Sequence, residues 1–185
     1  MKIEVIKFPN EEELRWCKTC TLNTIGKKLG KKAKVEEEWM ERIILADHSP
    51  IRELWFGIKM EVPYWIAMHF RTHQIAEGVY DLSVRPDFKN DYISTQRDDR
   101  VTSDIPRGKK PQDEMVSYIM SINAPALVNL AHKRLCKQAS EETREVMKEI
   151  VKKVVEVAPY MKKALVPLCV YRNGKCTEFF SCKGN

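Results

Sequence analysis

The stretch that decides the fold reads L-W-F-G-I-K-M-E-V-P-Y-W-I-A-M-H-F-R-T-H and runs from Leu54 to His73. Its first half alternates, with apolar residues at every second position from Leu54 to Val62, which is typical of a strand with one buried face. Pro63 suits the first position of a helix, because its missing N–H would have no partner there. We expect that helix to run toward Gly78, so the stretch predicts a mixed α and β fold.

Further strands and helices are predicted on both sides of this stretch. An opening strand covers residues 3–8 and ends at Pro9 and Asn10. Helical patterns cover three more ranges: 11–20, 35–46 and 123–136. A further helical pattern begins after Ser140. The hydroxyl of Ser140 can cap the last helix, whose apolar positions recur at helical spacing. Residues 79–111, rich in Pro, Asp and Asn, are predicted to be loop.

The predicted elements and the chain length indicate one domain over residues 1–185. We expect the α+β class, with a small antiparallel or mixed sheet and a majority of helices. Of the residues, 43% are hydrophobic, which argues against intrinsic disorder. No apolar run reaches the ~20 residues of a membrane span, and the N-terminus lacks an apolar signal region. We therefore expect a cytoplasmic protein that does not enter the membrane.

The charge balance favours a small anionic ligand. The chain has 32 Lys and Arg against 26 Asp and Glu, a formal net charge of +6. Proteins that coat nucleic acid usually have a stronger basic bias, so a nucleotide is the better candidate. Within the polar segment after Gly78, Asp81, Ser83 and Arg85 alternate and would project to one side of an extended chain. Arg107 and Arg134 add two cations that could pair with phosphate or with a base.

Two metal sites are possible from residue spacing, and we favour neither. A helix that continued to Gly78 would align His69, His73 and Glu77 on one face. Ligand contact through hydrogen bonds or stacking is the preferred role of these histidines. Among the six cysteines, Cys17 and Cys20 form one close pair, and three more are widely spaced in the tail: Cys169, Cys176 and Cys182. Structural zinc usually takes two close pairs, so buried, apolar cysteines are the alternative.

Several motifs in the same order resemble the flavin-dependent thymidylate synthases (ThyX). They are H-S-P, the alternating strand, P-Y-W-I-A-M-H-F-R-T-H-Q-I-A, D-L-S-V-R and I-N-A-P-A-L-V-N-L-x-x-K-R, and they span about residues 15–145. The resemblance implies a homotetramer with active sites between subunits. It also implies that reduced FAD mediates transfer of a one-carbon unit from methylenetetrahydrofolate to C5 of dUMP, with NADPH as reductant.

The resemblance also implies a role for individual residues. Arg134 matches the catalytic arginine that holds the uracil and favours its ionisation at N3. The positions that match the dUMP site are His69, Asp81, Leu82, Ser83, Val84, Arg85, Arg107 and Arg134. The positions that match the FAD site are Ser49, Arg71, Thr72, His73, Gln74, Asp81, Asn123 and Asn129.

The chain departs from the family pattern at charged positions. Thr72-His73-Gln74 stands where the family has R-H-R, so two arginines that pair with phosphate are absent. Pro125 and Ala126 replace an Arg-Ser pair, and Pro86 replaces a tyrosine. Two alternatives therefore stay open: C5 modification of another pyrimidine nucleotide, and a non-catalytic homologue that binds nucleotide or nucleic acid and holds a structural zinc. Residues 160–185 match nothing in the family, and Arg172 there has no assigned role.

Overall fold

The computed structural model describes residues 1–72, 78–81 and 109–181. Its helices are α1 (Glu11–Asn23), α2 (Glu37–Leu45), α3 (Tyr64–Arg71), α4 (Ala124–Arg134), α5 (Glu141–Val157) and α6 (Leu168–Tyr171). Its strands are β1 (Lys2–Lys7), β2 (Trp55–Pro63), β3 (Gly78–Asp81) and β4 (Met115–Asn123). Short 3-10 turns occupy Ser49–Glu53 and Pro159–Met161.

The four strands form one antiparallel sheet in the order β1-β2-β4-β3. At its centre β2 pairs with β4, so that Trp55 lies opposite Asn123 and Pro63 lies opposite Met115. Alternate side chains of both strands are buried against the helices: Phe56, Ile58, Met60, Val62, Val116, Tyr118, Met120 and Ile122. A small antiparallel sheet covered by helices confirms the predicted α+β class.

The helices cover the buried face of this sheet. The predicted apolar stripe of α5 is confirmed, because Val146, Met147, Ile150 and Val154 are all buried. Burial of each such side chain contributes roughly 1.5–3 kcal/mol. The stripe joins the buried residues of the sheet, α3 and α4 in one hydrophobic cluster. Ser140 caps α5 as predicted, since its hydroxyl accepts the N–H of Thr143 at 3.4 Å.

The central strand pair also decides where the ends of α3 and α4 lie. α3 begins directly after β2, and α4 begins directly after β4, at the opposite end of the pair. At 1.5 Å per residue α3 spans about 12 Å and α4 about 16 Å, whereas the nine-residue strands span about 30 Å. Two helices that run toward each other over the same face therefore meet near its middle. There Arg134, the last residue of α4, contacts His69 of α3.

Three local features differ from the sequence-based expectation. β4 was not predicted, because Ile119 on its outer face weakens the alternation of Val116, Tyr118 and Met120 with polar residues. Pro63 ends β2 and precedes α3 by one residue instead of opening the helix. β3 reaches into the segment 79–111 that was predicted as loop, and residues 82–108 of that segment lie outside the described part of the chain.

The cap of α4 provides a test of the fold near the candidate site. The side-chain oxygen of Asn123 accepts the N–H of Ala126 at 3.1 Å. We expect Asn123→Ala to lower the free energy of unfolding by about 1 kcal/mol, because one N–H at the start of α4 loses its acceptor. Urea unfolding followed by circular dichroism measures the change. Asn123→Asp keeps an acceptor and is the matched control, so an equal loss in both variants would contradict the capping role.

Candidate functional site

The guanidinium of Arg134 lies at the point where α3 and α4 meet. Its Nη2 donates a hydrogen bond of 2.6 Å to the backbone carbonyl of His69. The hydroxyl of Thr72 donates to the same carbonyl at 3.2 Å. The carbonyls in the last turn of a helix have no partner within the helix, so Arg134 and Thr72 together satisfy one of these at the end of α3.

The charge of Arg134 has no counterion among the residues that the structure describes. The side chain is half-buried, and its Nε is buried without a hydrogen-bond partner in the described ranges. Burial lowers the pKa of the Arg134 guanidinium, but arginine starts from so high a value that the group stays charged at neutral pH. A partly desolvated cation without a carboxylate partner is suited to bind an anion or a polarised carbonyl.

The imidazole of His69 is held by residues of α3 and α5. Its Nδ1 lies 3.0 Å from Oγ1 of Thr143 on α5. The hydroxyl of Ser140 lies 2.8 Å from the same Oγ1, so Ser140, Thr143 and His69 form one hydrogen-bonded chain. Trp65 supports the ring edge-on, with 5.3 Å between centroids. The structure thus brings together two of the residues predicted to bind dUMP, His69 and Arg134.

A separate cleft of about 710 Å³ lies between the 3-10 turn Ser49–Glu53, α4 and α6. Two residues predicted to contact FAD, Asn123 and Asn129, line it. The side-chain oxygen of Asn123 is occupied by the cap of α4, so its amide N–H groups remain to bind a ligand. Ser49 is exposed at the start of the neighbouring turn. The remaining lining residues are Ile44, Asp47, Ile51, Arg52, Pro125, Ala126, Val128, His132, Leu168, Tyr171 and Arg172.

His132 lines the cleft and was not predicted as a site residue. Its side chain is buried, and Nε2 has no hydrogen-bond partner among the described residues. Burial lowers the pKa of His132, opposed by the backbone of Ala164, so the ring is neutral at pH 7. It packs against Tyr171 with 4.7 Å between ring centroids, and the Tyr171 hydroxyl donates to the carbonyl of Leu45 at 2.7 Å. The sequence could have indicated His132 as a site residue, because it follows Asn129 by three residues and so lies on the same face of α4.

Asn129, expected to bind FAD, and Arg134, expected to bind dUMP, lie on different sides of α4. At 100° per residue, Asn129 and Arg134 point about 140° apart around the helix axis. Arg134 faces His69, whereas Asn129 faces the cleft. Within one chain, therefore, Asn123 and Asn129 do not share a pocket with Arg134. Thr72, also expected to bind FAD, lies on the Arg134 side, at the carbonyl of His69.

The remaining predicted site residues lie away from the two groups above or outside the described residues. Arg71 is exposed at the end of α3, and Asp81 is described only by its backbone in β3, opposite Tyr118. The others lie outside the described residues: His73, Gln74, Leu82, Ser83, Val84, Arg85 and Arg107. Their roles stay predictions.

The described residues contain neither a metal-binding cluster nor a membrane-spanning helix. There, no group of three or more His, Cys, Asp or Glu side chains could hold a metal ion. Cys17 is buried, and burial raises the pKa of its thiol to about 12, which fits the apolar interpretation of this cysteine. Cys182, Glu77 and His73 lie outside the described ranges. None of the described helices is long and apolar enough to span a membrane.

Comparison with known proteins connects this geometry to a family. The family model for thymidylate synthase complementing protein matches residues 95–160, which include α4 and Arg134. The search of curated proteins gave no match.

Solved structures share the fold at low sequence identity. The flavin-dependent thymidylate synthase ThyX from Helicobacter pylori, complexed with FAD and dUMP, is 13% identical with a TM-score of 0.65, and the match covers 90% of this chain and 100% of that chain. A second structure of the same enzyme with FAD and dUMP gives a TM-score of 0.66 at 13% identity, over 89% and 99% of the two chains. The UMP/dUMP methylase PolB from Streptomyces cacaoi, bound with 5-Br dUMP, gives 0.65 at 13% identity, over 88% and 93%.

The fold of these structures and the family model agree with the motifs that the sequence carries in order. They agree with the resemblance seen in the sequence: the chain shares the fold of the flavin-dependent thymidylate synthases, and residues 95–160 match the model for thymidylate synthase complementing protein.

Proposed function

We propose that this protein methylates the C5 position of dUMP, with methylenetetrahydrofolate as carbon donor and NADPH as reductant. The observation that carries the proposal is the half-buried guanidinium of Arg134, which has no counterion in the described part of the chain and lies beside His69. In the net reaction the C5 hydrogen leaves as a proton and the one-carbon unit takes its place. A hydride from NADPH reduces that unit to a methyl group, which leaves tetrahydrofolate and NADP⁺.

Arg134 is the residue that would activate the pyrimidine. A guanidinium placed where the uracil ring becomes anionic stabilises that charge and favours loss of the N3 proton. The bond from Nη2 to the carbonyl of His69 holds the guanidinium in place. With Nδ1 of His69 held by Thr143, Nε2 is left to contact the base or the ribose. We further propose that the phosphate and sugar contact Asp81, Leu82, Ser83, Val84, Arg85 and Arg107.

The residues of the cleft fit an FAD-type ligand. The volume of about 710 Å³ lies in the range of small-molecule sites. The amides of Asn123 and Asn129 and the unpartnered Nε2 of His132 provide polar contacts on one wall. Bound FAD would supply the redox chemistry between NADPH and the one-carbon unit. The proposed FAD contacts are Ser49, Arg71, Thr72, His73, Gln74, Asp81, Asn123 and Asn129.

We propose a homotetramer with sites between subunits, in the cytoplasm. The separation of Asn129 and Arg134 on two sides of α4 supports it. A complete site that needs both groups can form when the cleft of one subunit faces the arginine of another.

A second candidate function is C5 modification of a different pyrimidine nucleotide. The similarity to a UMP/dUMP methylase, at the same TM-score and identity as one of the thymidylate synthases, favours it. The two functions differ in whether the sugar carries a 2′-hydroxyl, so one assay on both nucleotides can separate them.

Release of tritium from C5 tests both candidates. The purified protein is incubated with FAD, NADPH, methylenetetrahydrofolate and either [5-³H]dUMP or [5-³H]UMP. We expect tritium release from dUMP that requires the folate, because substitution at C5 displaces that hydrogen. Release from UMP alone would favour the second candidate. No release from either nucleotide would contradict the enzymatic proposal and favour a non-catalytic nucleotide-binding homologue.

Substitution of Arg134 tests the residue assigned to the chemistry. We expect Arg134→Ala to lower kcat roughly 100- to 1,000-fold, as for loss of one preorganised charge donor in an active site. Arg134→Lys should restore little, because an ammonium cannot replace the planar fork. Lys133→Ala is the matched control, since Lys133 is the exposed neighbour that pairs with Glu178 at 3.0 Å. Thermal unfolding of each variant separates an effect on catalysis from an effect on stability. A kcat of Arg134→Ala close to that of the parent protein would contradict the role of Arg134 in activating the pyrimidine.

A further inference from the structure

We infer that Arg52 and Arg172 hold the diphosphate of the dinucleotide in the cleft. They would supply the two cations that the chain lacks at Thr72 and Gln74. The inference rests on the proposed use of FAD and assigns residues to its phosphates. Neither arginine was predicted to take part in the site, and Arg172 lies in the tail to which the sequence motifs assign no role.

The two arginines reach the cleft from different elements. Arg52 lies in the 3-10 turn Ser49–Glu53, and Arg172 follows the last residue of α6. Both line the cleft and are exposed to solvent. Because the turn and α6 both pack on α4, one guanidinium can approach a ligand from each side.

Neither guanidinium is occupied by a residue that the structure describes. Within the described ranges, Arg52 and Arg172 form no ion pair and no side-chain hydrogen bond. Other arginines of the chain hold the fold together. Arg15 donates to the carbonyls of residues 30, 31 and 33, and Arg144 donates to those of residues 137 and 139. Arg52 and Arg172 therefore keep all their donors for a ligand.

The charge of the cleft favours an anion. The charge of Arg172 lowers the pKa of His132, and the charge of Asp47 raises it, so both charges lie close enough to His132 to influence the cleft. With His132 neutral, the two arginines outnumber the single carboxylate of Asp47. A diphosphate carries two negative charges at neutral pH, and guanidinium groups bind phosphate oxygens in a bidentate manner.

The remaining wall indicates a ligand larger than a free phosphate. His132 is 9% exposed, and its Nε2 has no hydrogen-bond partner among the described residues, although buried polar groups normally have one. Asn123 and Asn129 add amide groups beside it. A nucleotide joined to a diphosphate would bring base and sugar atoms to this wall while its phosphates lie between the two arginines.

Flavin binding in the absence of substrates tests the inference without a measurement of turnover. The dissociation constant of FAD is measured by equilibrium dialysis for the parent protein, Arg52→Ala, Arg172→Ala and the double variant. We expect each single change to weaken FAD binding roughly 10- to 100-fold, because one charge-assisted contact is lost. Each should also reduce the salt dependence of binding. Arg52→Lys and Arg172→Lys should keep part of the affinity.

Two controls make the result specific. Riboflavin has no phosphate, so the parent protein and the variants should bind it alike. Arg42 is exposed on α2 and does not line the cleft, and Arg42→Ala should bind FAD as the parent does. Parent-like FAD affinity in Arg52→Ala and Arg172→Ala, or an equal loss for riboflavin, would overturn this inference and leave the proposed function in place. A parent protein that binds no FAD would overturn both the inference and the flavin part of the proposed function.

Discussion

The antiparallel pairing of β2 with β4 is the constraint on which the candidate site depends. Because α3 and α4 begin where these strands end, the register of the pair decides how far apart the helix ends lie. A shift by two residues would move one helix along the other strand by roughly 7 Å, and Arg134 would lose the carbonyl of His69, now 2.6 Å away. A shift by one residue would turn the buried face of a strand toward solvent. The alternation that buries Tyr118 and Met120 therefore also places the arginine.

Arg134 combines a structural contact with an unsatisfied charge. One nitrogen completes the hydrogen bonding of the last turn of α3, while Nε and the charge itself have no partner in the described ranges. The lowered pKa of the guanidinium reflects the cost of its partial burial. An anionic ligand would offset that cost, and the offset grows as negative charge develops on the ligand. The same environment that disfavours the isolated guanidinium charge would therefore favour an ionised base over a neutral one.

Local patterns predicted the elements and caps better than they predicted the site. The alternation of β2, the apolar stripe of α5 and the Ser140 cap all depend on neighbours within a few residues, and each was found as expected. The cleft could not be predicted in the same way. Its walls join the turn at Arg52, α4 at His132 and the segment at Arg172, which are far apart in sequence and meet only through tertiary packing. The tail is fixed by single contacts such as Tyr171 to the carbonyl of Leu45, for which no sequence motif exists.

Thr72 explains why the cations for a diphosphate would come from elsewhere. Its hydroxyl has one proton, and that proton is donated to the carbonyl of His69, which also accepts from Arg134. With its only side-chain proton engaged at the end of α3, Thr72 has no side-chain donor left for phosphate oxygens. An arginine at this position would place a second cation beside Arg134 in a region where the described residues offer no counterion. In the proposed arrangement, cations on the far side of α4, at Arg52 and Arg172, would avoid that repulsion and would leave the charge of Arg134 for the pyrimidine.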